Sequence, residues 1–331
     1  MKQIAIFTDS WYPLVNGVVT TLQHIADELR EQGYDVLVFH PGLCSKTFKC
    51  PSYPEIMLAW RPHVHIKQFF KDYQPQAVHI ATEGPVGYAA RKWCIDNGKP
   101  FTTSYHTKFP EYVRARYPIP LSFTYRYLRI FHSEATATLV TTDSIKKELE
   151  ERKFKNLITW GRGVDTKKFA FKPGEDNHSL IYVGRVSIEK NIEEFLKLGI
   201  NGYKKVVVGD GPDLPELKKK YPHVDFQGYK KGDDLVKAYQ DASIFVFPSK
   251  TDTFGLVMLE ANACGLPVAA YPVPGPIDVV QNGVNGYLND DLGSAVLQAI
   301  NRVKPESCRA FAEKHSWNSC AKIFLDTLTF F

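Results

Sequence analysis

Two carboxylates eight positions apart, Asp252 and Glu260, mark the part of this 331-residue chain where chemistry is easiest to read. They stand in Thr251-Asp252-Thr253-Phe254-Gly255-Leu256-Val257-Met258-Leu259-Glu260. That segment follows the apolar run Ser243–Ser249 and opens a helix near Phe254-Gly255 that ends at Gly265. A helix N-terminus presents unpaired amides and a positive dipole end, which suits a diphosphate. Carboxylates accept hydrogen bonds from vicinal hydroxyls, so one of the pair can reach a sugar and the other a ribose. Upstream, Gly184-Arg185-Val186-Ser187-Ile188-Glu189-Lys190 follows another apolar run. Arg grips phosphate oxygens bidentately and Lys supplies a compact charge. Together they can stabilise negative charge on a leaving diphosphate in place of a metal. The bland alternatives are a capping Asp at 252 and two solvated surface charges at 185 and 190.

Three weaker signals accompany these. Val208-Gly209-Asp210-Gly211-Pro212 reads as a strand-to-helix turn, and G-D-G-P is also a good generic turn. Asn16-Gly17 joins the first strand to the first helix, where glycine lets backbone amides approach a ligand or simply makes a turn. His106, in Ser104-Tyr105-His106-Thr107, ends a strand, and a lone histidine is more often structural than functional.

The elements that must position these residues alternate strand and helix, the pattern of a parallel sheet covered by helices. Strands are expected at Ile4–Thr8, Val36–Phe39, Ile56–Ala59, Val78–Ile80, Phe101–Ser104, Leu139–Thr141 and Leu157–Thr159. Val18, Val19, Leu22, Ile25, Ala26 and Leu29 recur at helical spacing, and Gly33 stops that helix. Residues 161–178 are polar and aperiodic and read as an interdomain linker. The alternation restarts at Leu180–Val183, Lys205–Val208, Val224–Gln227, Ile244–Phe247 and Pro267–Ala270, and the last stretch, Trp317–Leu328, is helical in pattern. The expectation is an α/β protein of two Rossmann-like domains. Residues 1–165 form the first, residues 166–310 the second, and residues 311–331 a helix crossing back to the first. A ligand would sit in the cleft between them, at the carboxyl ends of the strands.

Composition is that of an ordinary globular protein, 44% hydrophobic and 23% charged. No apolar run reaches the roughly 18 residues needed to span a bilayer, and the start of the chain reads as a strand rather than a signal peptide. Six cysteines without C-x-x-C or zinc spacing read as reduced thiols, which points to the cytoplasm. A net charge of +5 suits an anionic ligand or membrane surface and does not demand nucleic acid. G-x-G-x-x-G after the first strand, the P-loop and the G-x-S-x-G elbow are all missing, as is an aspartate pair at D-x-D spacing for a metal.

The segment from Thr251 to Val268 resembles the signature of retaining glycosyltransferase family 4, which has two acidic residues separated by seven. The first is usually glutamate there and is Asp252 here, one methylene shorter. The resemblance covers nearly the whole chain and implies a GT-B fold. It implies that Arg185 and Lys190 clamp the donor diphosphate, with Gly184, Gly211, Pro212, Thr253, Phe254, Gly255 and Leu256 around the donor and Glu260 on the ribose. It also implies that Asn16-Gly17 lie near donor and acceptor, and that His106 and Asp252 contact the transferred sugar. The first half is similar to bacterial relatives that act on diacylglycerol or other lipids. Residues 105–132 hold five Lys/Arg against one Glu, with eight aromatics. That composition suits either an anionic membrane surface or a packed helix pair.

The expected activity is therefore transfer of a hexose, with UDP-hexose favoured, to a lipid acceptor such as diacylglycerol. It needs no metal or other cofactor, and the enzyme is peripheral on the inner face of the plasma membrane. A GDP-mannose-dependent mannosyltransferase is the alternative donor reading. A nucleotide-sugar epimerase or hydrolase, and a non-catalytic nucleotide-sugar or lipid sensor, are alternatives of other classes.

Overall fold

The computed structural model describes residues 2–14, 16–50, 53–172 and 177–331. The chain divides into two compact units, Met1–Gly161 with Trp317–Phe331, and Arg162–Ser316. The first unit runs β1 (Gln3–Phe7), α1 (Gly17–Glu31), β2 (Asp35–Phe39), β3 (Thr47–Cys50), β4 (Tyr53–Ala59), α2 (His63–Asp72), β5 (Ala77–Ile80), α3 (Pro85–Asp96), β6 (Thr102–Tyr105), α4 (Phe109–Arg116), α5 (Leu121–His132), β7 (Thr138–Val140), α6 (Asp143–Glu151) and β8 (Leu157–Thr159). The second runs β9 (Ser179–Val183), α7 (Ile192–Lys197), β10 (Lys204–Val208), α8 (Leu214–Lys220), β11 (Asp225–Gly228), α9 (Gly232–Gln240), β12 (Ile244–Phe247), α10 (Leu256–Ala263), β13 (Val268–Ala270), α11 (Pro276–Val279), β14 (Gly286–Leu288), α12 (Leu292–Arg302) and α13 (Pro305–Ala312). The final helix, α14 (Trp317–Thr327), belongs to the first unit.

Each unit is built on one six-stranded parallel sheet, ordered β2-β1-β5-β6-β7-β8 in the first and β11-β10-β9-β12-β13-β14 in the second. Strands β1, β5, β9, β12 and β13 are buried on both faces over most of their length, which is why they read as near-continuous apolar runs, whereas the edge strand β11 is half exposed. In β9, Leu180 and Tyr182 enter one core cluster while Ile181 and Val183 enter the other, one on each side of the sheet. The strand order reverses between β1 and β5 in the first unit and between β9 and β12 in the second. Loops leaving the carboxyl ends of such strand pairs are where α/β sheets bind ligands.

Helix α1 buries Val19, Leu22, Ile25, Ala26 and Leu29, and the Asn16 side chain caps it by accepting from the amides of Val18 and Val19. Against this helix packs α14, where Trp317 stacks on His24 with ring centroids 4.5 Å apart. Trp160 Nε1 donates to Cys320 O at 3.0 Å, fastening α14 to the end of the sheet.

The structure departs from the sequence reading in three places. Ile56–Ala59 is strand but lies in β4, which pairs antiparallel with β3 in a separate hairpin. Its burial is uneven, with Met57 exposed and Ala59 buried, where the parallel β5 is buried throughout. The polar stretch after Gly161 is docked in its described part rather than a free linker. Val164 and Phe169 are buried in the second core, and Arg309 Nη1 donates to the carbonyls of Thr166 and Phe169. Burial of two such side chains is worth about 1.5–3 kcal/mol each, which outweighs the polarity of their neighbours. Residues 173–176 of that stretch lie outside the described residues. The units consequently change at 161/162 and 316/317, not at 165/166 and 310/311.

Candidate active site

In the second unit the loops after β9, β10 and β12 close on one another at the reversal of strand order. The amide of Gly184 donates to Val208 O and that of Val186 to Asp210 O, at 3.0 and 2.9 Å. The two loops run so close that a Cβ at Gly209, where φ is +143°, would lie 1.8 Å from Gly184 O. One at Gly211 would lie 2.1 Å from Val186 O, so both positions require glycine. Tyr182 OH donates to Arg185 O at 2.6 Å and fixes the backbone beneath the arginine. The loop after β12 is tied in by Thr251 Oγ1, which donates to Glu189 O, and by Asn191 Nδ2, which donates to Pro248 O.

This architecture brings Lys190 and Asp252 together. Lys190 Nζ donates to Asp252 Oδ1 at 2.5 Å, and both side chains are mostly buried. The other oxygen, Asp252 Oδ2, is buried without a hydrogen-bond partner among the described residues. Behind Asp252 lies Gly275, whose φ is +100° and whose Cβ would fall 2.6 Å from Asp252 O. Thr253 and Phe254 are buried, and Gly255, at φ +85°, turns the chain into α10. The helix thus begins at Leu256, directly after the expected Phe254-Gly255, and among the described residues no side chain caps its first amides.

Glu260 stands apart from that ion pair. Its carboxylate accepts from Tyr239 OH at 3.0 Å on α9. Desolvation pushes its pKa above the usual carboxylate range, while the Tyr239 hydrogen bond and nearby Lys168 act the other way. Lys168 comes from the docked segment after Gly161, so nothing in its local sequence announces it.

In the first unit, Asn16 is committed to capping α1, with its amide nitrogen donating to Ser10 Oγ at 2.9 Å. Gly17 is the first residue of that helix. His106 follows β6 directly, and its Nε2 lies 2.8 Å from Ser104 Oγ with the ring edge-on to Trp160. Sequence reasoning missed Asp9, two residues past the end of β1. Its carboxylate accepts from the amides of Val86 and Gly87 and from Thr82 Oγ1, at 2.8, 3.2 and 2.9 Å. Burial pushes its pKa up to about 6, with those hydrogen bonds opposing and nearby Glu83 adding to the rise. A Cβ on Gly84 would fall 2.5 Å from that carboxylate.

Comparison with known proteins bears on the family and the fold. The family model described as Glycosyltransferase Family 4 matches residues 15–168, and that described as Glycosyl transferases group 1 matches residues 164–311. The GDP-mannose-dependent alpha-mannosyltransferase of Corynebacterium glutamicum is 27% identical over 320 residues, covering 87% of this chain and 76% of that one. The alpha-monoglucosyldiacylglycerol synthase of Streptococcus pneumoniae is 26% identical over 348 residues, covering 90% and 78%. Among solved structures, sucrose-phosphate synthase from Thermosynechococcus elongatus superposes with a TM-score of 0.80 at 18% identity, over 98% of both chains. Two parallel-sheet units and these matches, which together run over residues 15–311, make the chain a member of glycosyltransferase family 4, a glycosyltransferase of GT-B fold.

Proposed function

We propose that this glycosyltransferase moves a hexose from a nucleotide sugar, with UDP-hexose as the favoured donor, to a lipid acceptor such as diacylglycerol, with retention of anomeric configuration. The observation that carries the donor half is the start of α10, uncapped among the described residues, four positions after Asp252 in its pair with Lys190. Amides, guanidinium and ammonium supply positive charge where a leaving diphosphate needs it, so no metal is invoked. As the bond from the anomeric carbon to the phosphate oxygen breaks, the acceptor oxygen bonds to that carbon on the same face. Its proton passes to the departing phosphate. Lys190, paired with Asp252 in the structure, exchanges that partner for phosphate oxygens when the donor binds, which frees Asp252 to accept from a sugar hydroxyl. The unpartnered Oδ2 of Asp252 supports such a hydroxyl position. Glu260 takes the ribose, and His106 the transferred sugar.

The acceptor half rests on the surface of α4 and α5 and on the streptococcal relative's name. Tyr125, Leu128 and Phe131 pack inward, whereas Phe109, Phe123, Tyr127 and Ile130 are exposed, Phe123 to 71%. The inward face serves a packed helix pair, and the exposed face supports the membrane reading of 105–132. Aromatics with the exposed Arg114 and Arg126 suit the headgroup level of an anionic leaflet. Among the described residues no helix is long and apolar enough to cross a membrane, and all six cysteines are free thiols. Peripheral attachment to the cytoplasmic face of the membrane follows as part of the proposal. A second donor, GDP-mannose, is favoured by the corynebacterial relative's name.

The test is nucleotide release from UDP- and GDP-sugars, with and without anionic vesicles containing diacylglycerol. Release that needs one donor and the vesicles is expected. Equal release without any acceptor would overturn the transfer reading in favour of hydrolysis.

A further inference from the structure

We infer that His79 and Ser104 are positioning residues that hold His106 in the tautomer protonated on Nδ1, through a one-way hydrogen-bond relay beginning at Thr102. The inference rests on the role proposed above for His106.

His79 sits in the middle of β5, fully buried, with the ring of Phe324 edge-on at 4.7 Å. Both of its nitrogens are engaged. Nδ1 lies 2.9 Å from Thr102 Oγ1 and Nε2 lies 3.1 Å from Ser104 Oγ. Ser104 Oγ in turn lies 2.8 Å from His106 Nε2. Register explains the alignment: β5 and β6 are paired with His79 opposite Thr102, so 79, 102 and 104 share one face of the sheet.

Proton counting gives the relay its direction. Burial drives the His79 pKa down to about 3, so the ring is neutral and owns one N–H and one acceptor. Thr102 has one hydroxyl proton and two acceptors in reach, His79 Nδ1 at 2.9 Å and Val78 O at 3.5 Å. The nearer one takes it. His79 then carries its proton on Nε2 and donates to Ser104 Oγ. Ser104 has its own proton to place, with His106 Nε2 at 2.8 Å and Ala81 O at 3.3 Å. The nearer acceptor again takes it, so His106 accepts at Nε2 and its proton resides on Nδ1. The tautomer of a histidine is set by the hydrogen bond its other nitrogen makes. Here that bond is fixed by a side chain inside the sheet and sealed under the C-terminal helix.

The test is long-range proton–nitrogen correlation on full-length protein labelled with ¹⁵N-histidine, at a pH where His106 is neutral. The His106 signals are assigned by their loss in His106→Gln. The wild type should show the Nδ1–H pattern, and Ser104→Ala should shift it toward Nε2–H. In parallel kcat should fall about tenfold with donor KM within twofold, and Ser104→Thr should restore both readouts. Thr102→Val, isosteric and remote from His106, should produce the same shift and serves if Ser104→Ala does not fold. An Nε2–H pattern in the wild type, or an unchanged pattern in both Ser104→Ala and Thr102→Val, would overturn the relay. The spectrum is independent of activity. The expected tautomer together with normal turnover in His106→Ala would uphold the relay and dismiss only the proposed role of His106.

Discussion

In the first unit the helix that follows the reversal of strand order, α3, has its leading amides taken by the Asp9 carboxylate. In the second unit the corresponding helix, α10, starts after Gly255, and among the described residues no side chain accepts from its first amides. Both helices follow the strand across the reversal from the unit's first strand, β5 beside β1 and β12 beside β9. The fold therefore offers two anion sites, and one of them is already filled from within. An internal carboxylate repels a diphosphate and leaves it no donors, so the proposed function puts the nucleotide donor at the second unit. Arg185 and Lys190 add cations on that side, where the first unit has Asp9 and Glu83. Two copies of one architecture thus diverge in function through a few side chains at equivalent turns.

The contrast breaks most visibly if the open site is stripped. Lys190→Ala and Glu260→Ala should each lower turnover by at least ~10²-fold while melting like the wild type, as expected of a lost positioned electrostatic group. Near-normal rates in either folded variant would remove that residue from the site. The filled site should answer in stability first. Asp9→Ala leaves the Val86 and Gly87 amides without their acceptor and should cost about 1–3 kcal/mol in denaturant unfolding. A subtler mark is its pH dependence. The folded pKa of Asp9, about 6, exceeds its ordinary 3.8, so the folded protein holds a proton that the unfolded chain releases. The contribution of Asp9 is then fully present below about pH 4 and declines as pH rises through 6. Asp9→Asn should flatten that decline, which denaturation at pH 4, 5, 6 and 7 would read. The smallest effect is expected from Asp252→Asn. Freeing Lys190 from its ion pair should tighten nucleoside diphosphate binding by up to about fivefold, the scale of a partly exposed pair, while turnover drops. Weaker binding would mean that the pair orients Lys190 rather than restraining it.

How much of this was legible in the sequence differs between the two halves for a physical reason. Arg185, Lys190, Asp252 and Glu260 lie within single strand–loop–helix units, so spacing alone placed them on the right elements. Their mutual contact, including the short Lys190–Asp252 pair, depends on β9 and β12 becoming neighbours. Asp9 read as an ordinary loop residue because its partners are 73 to 78 positions away. Gly275 likewise reveals its purpose only against the Asp252 backbone. Asn16 was noticed for a donor role, yet its side-chain oxygen is spent on the cap of α1, a local use that its place before a helix already suggested. His79 was passed over because a histidine within an apolar run shows neither its two hydroxyl partners nor the direction of its proton. Val164 and Phe169 were hidden by polar neighbours, though two apolar residues five apart in a supposed linker were a usable signal.

The most direct measurement is calorimetric titration of UDP and GDP into the wild type, the Arg185→Ala/Lys190→Ala double variant and Asp9→Asn. One site per chain is expected for one of the two nucleotides, at least about tenfold weaker in the double variant and unchanged in folded Asp9→Asn. Full-affinity binding by the double variant, or binding abolished by Asp9→Asn with the fold intact, would contradict the assignment of the donor to the second unit.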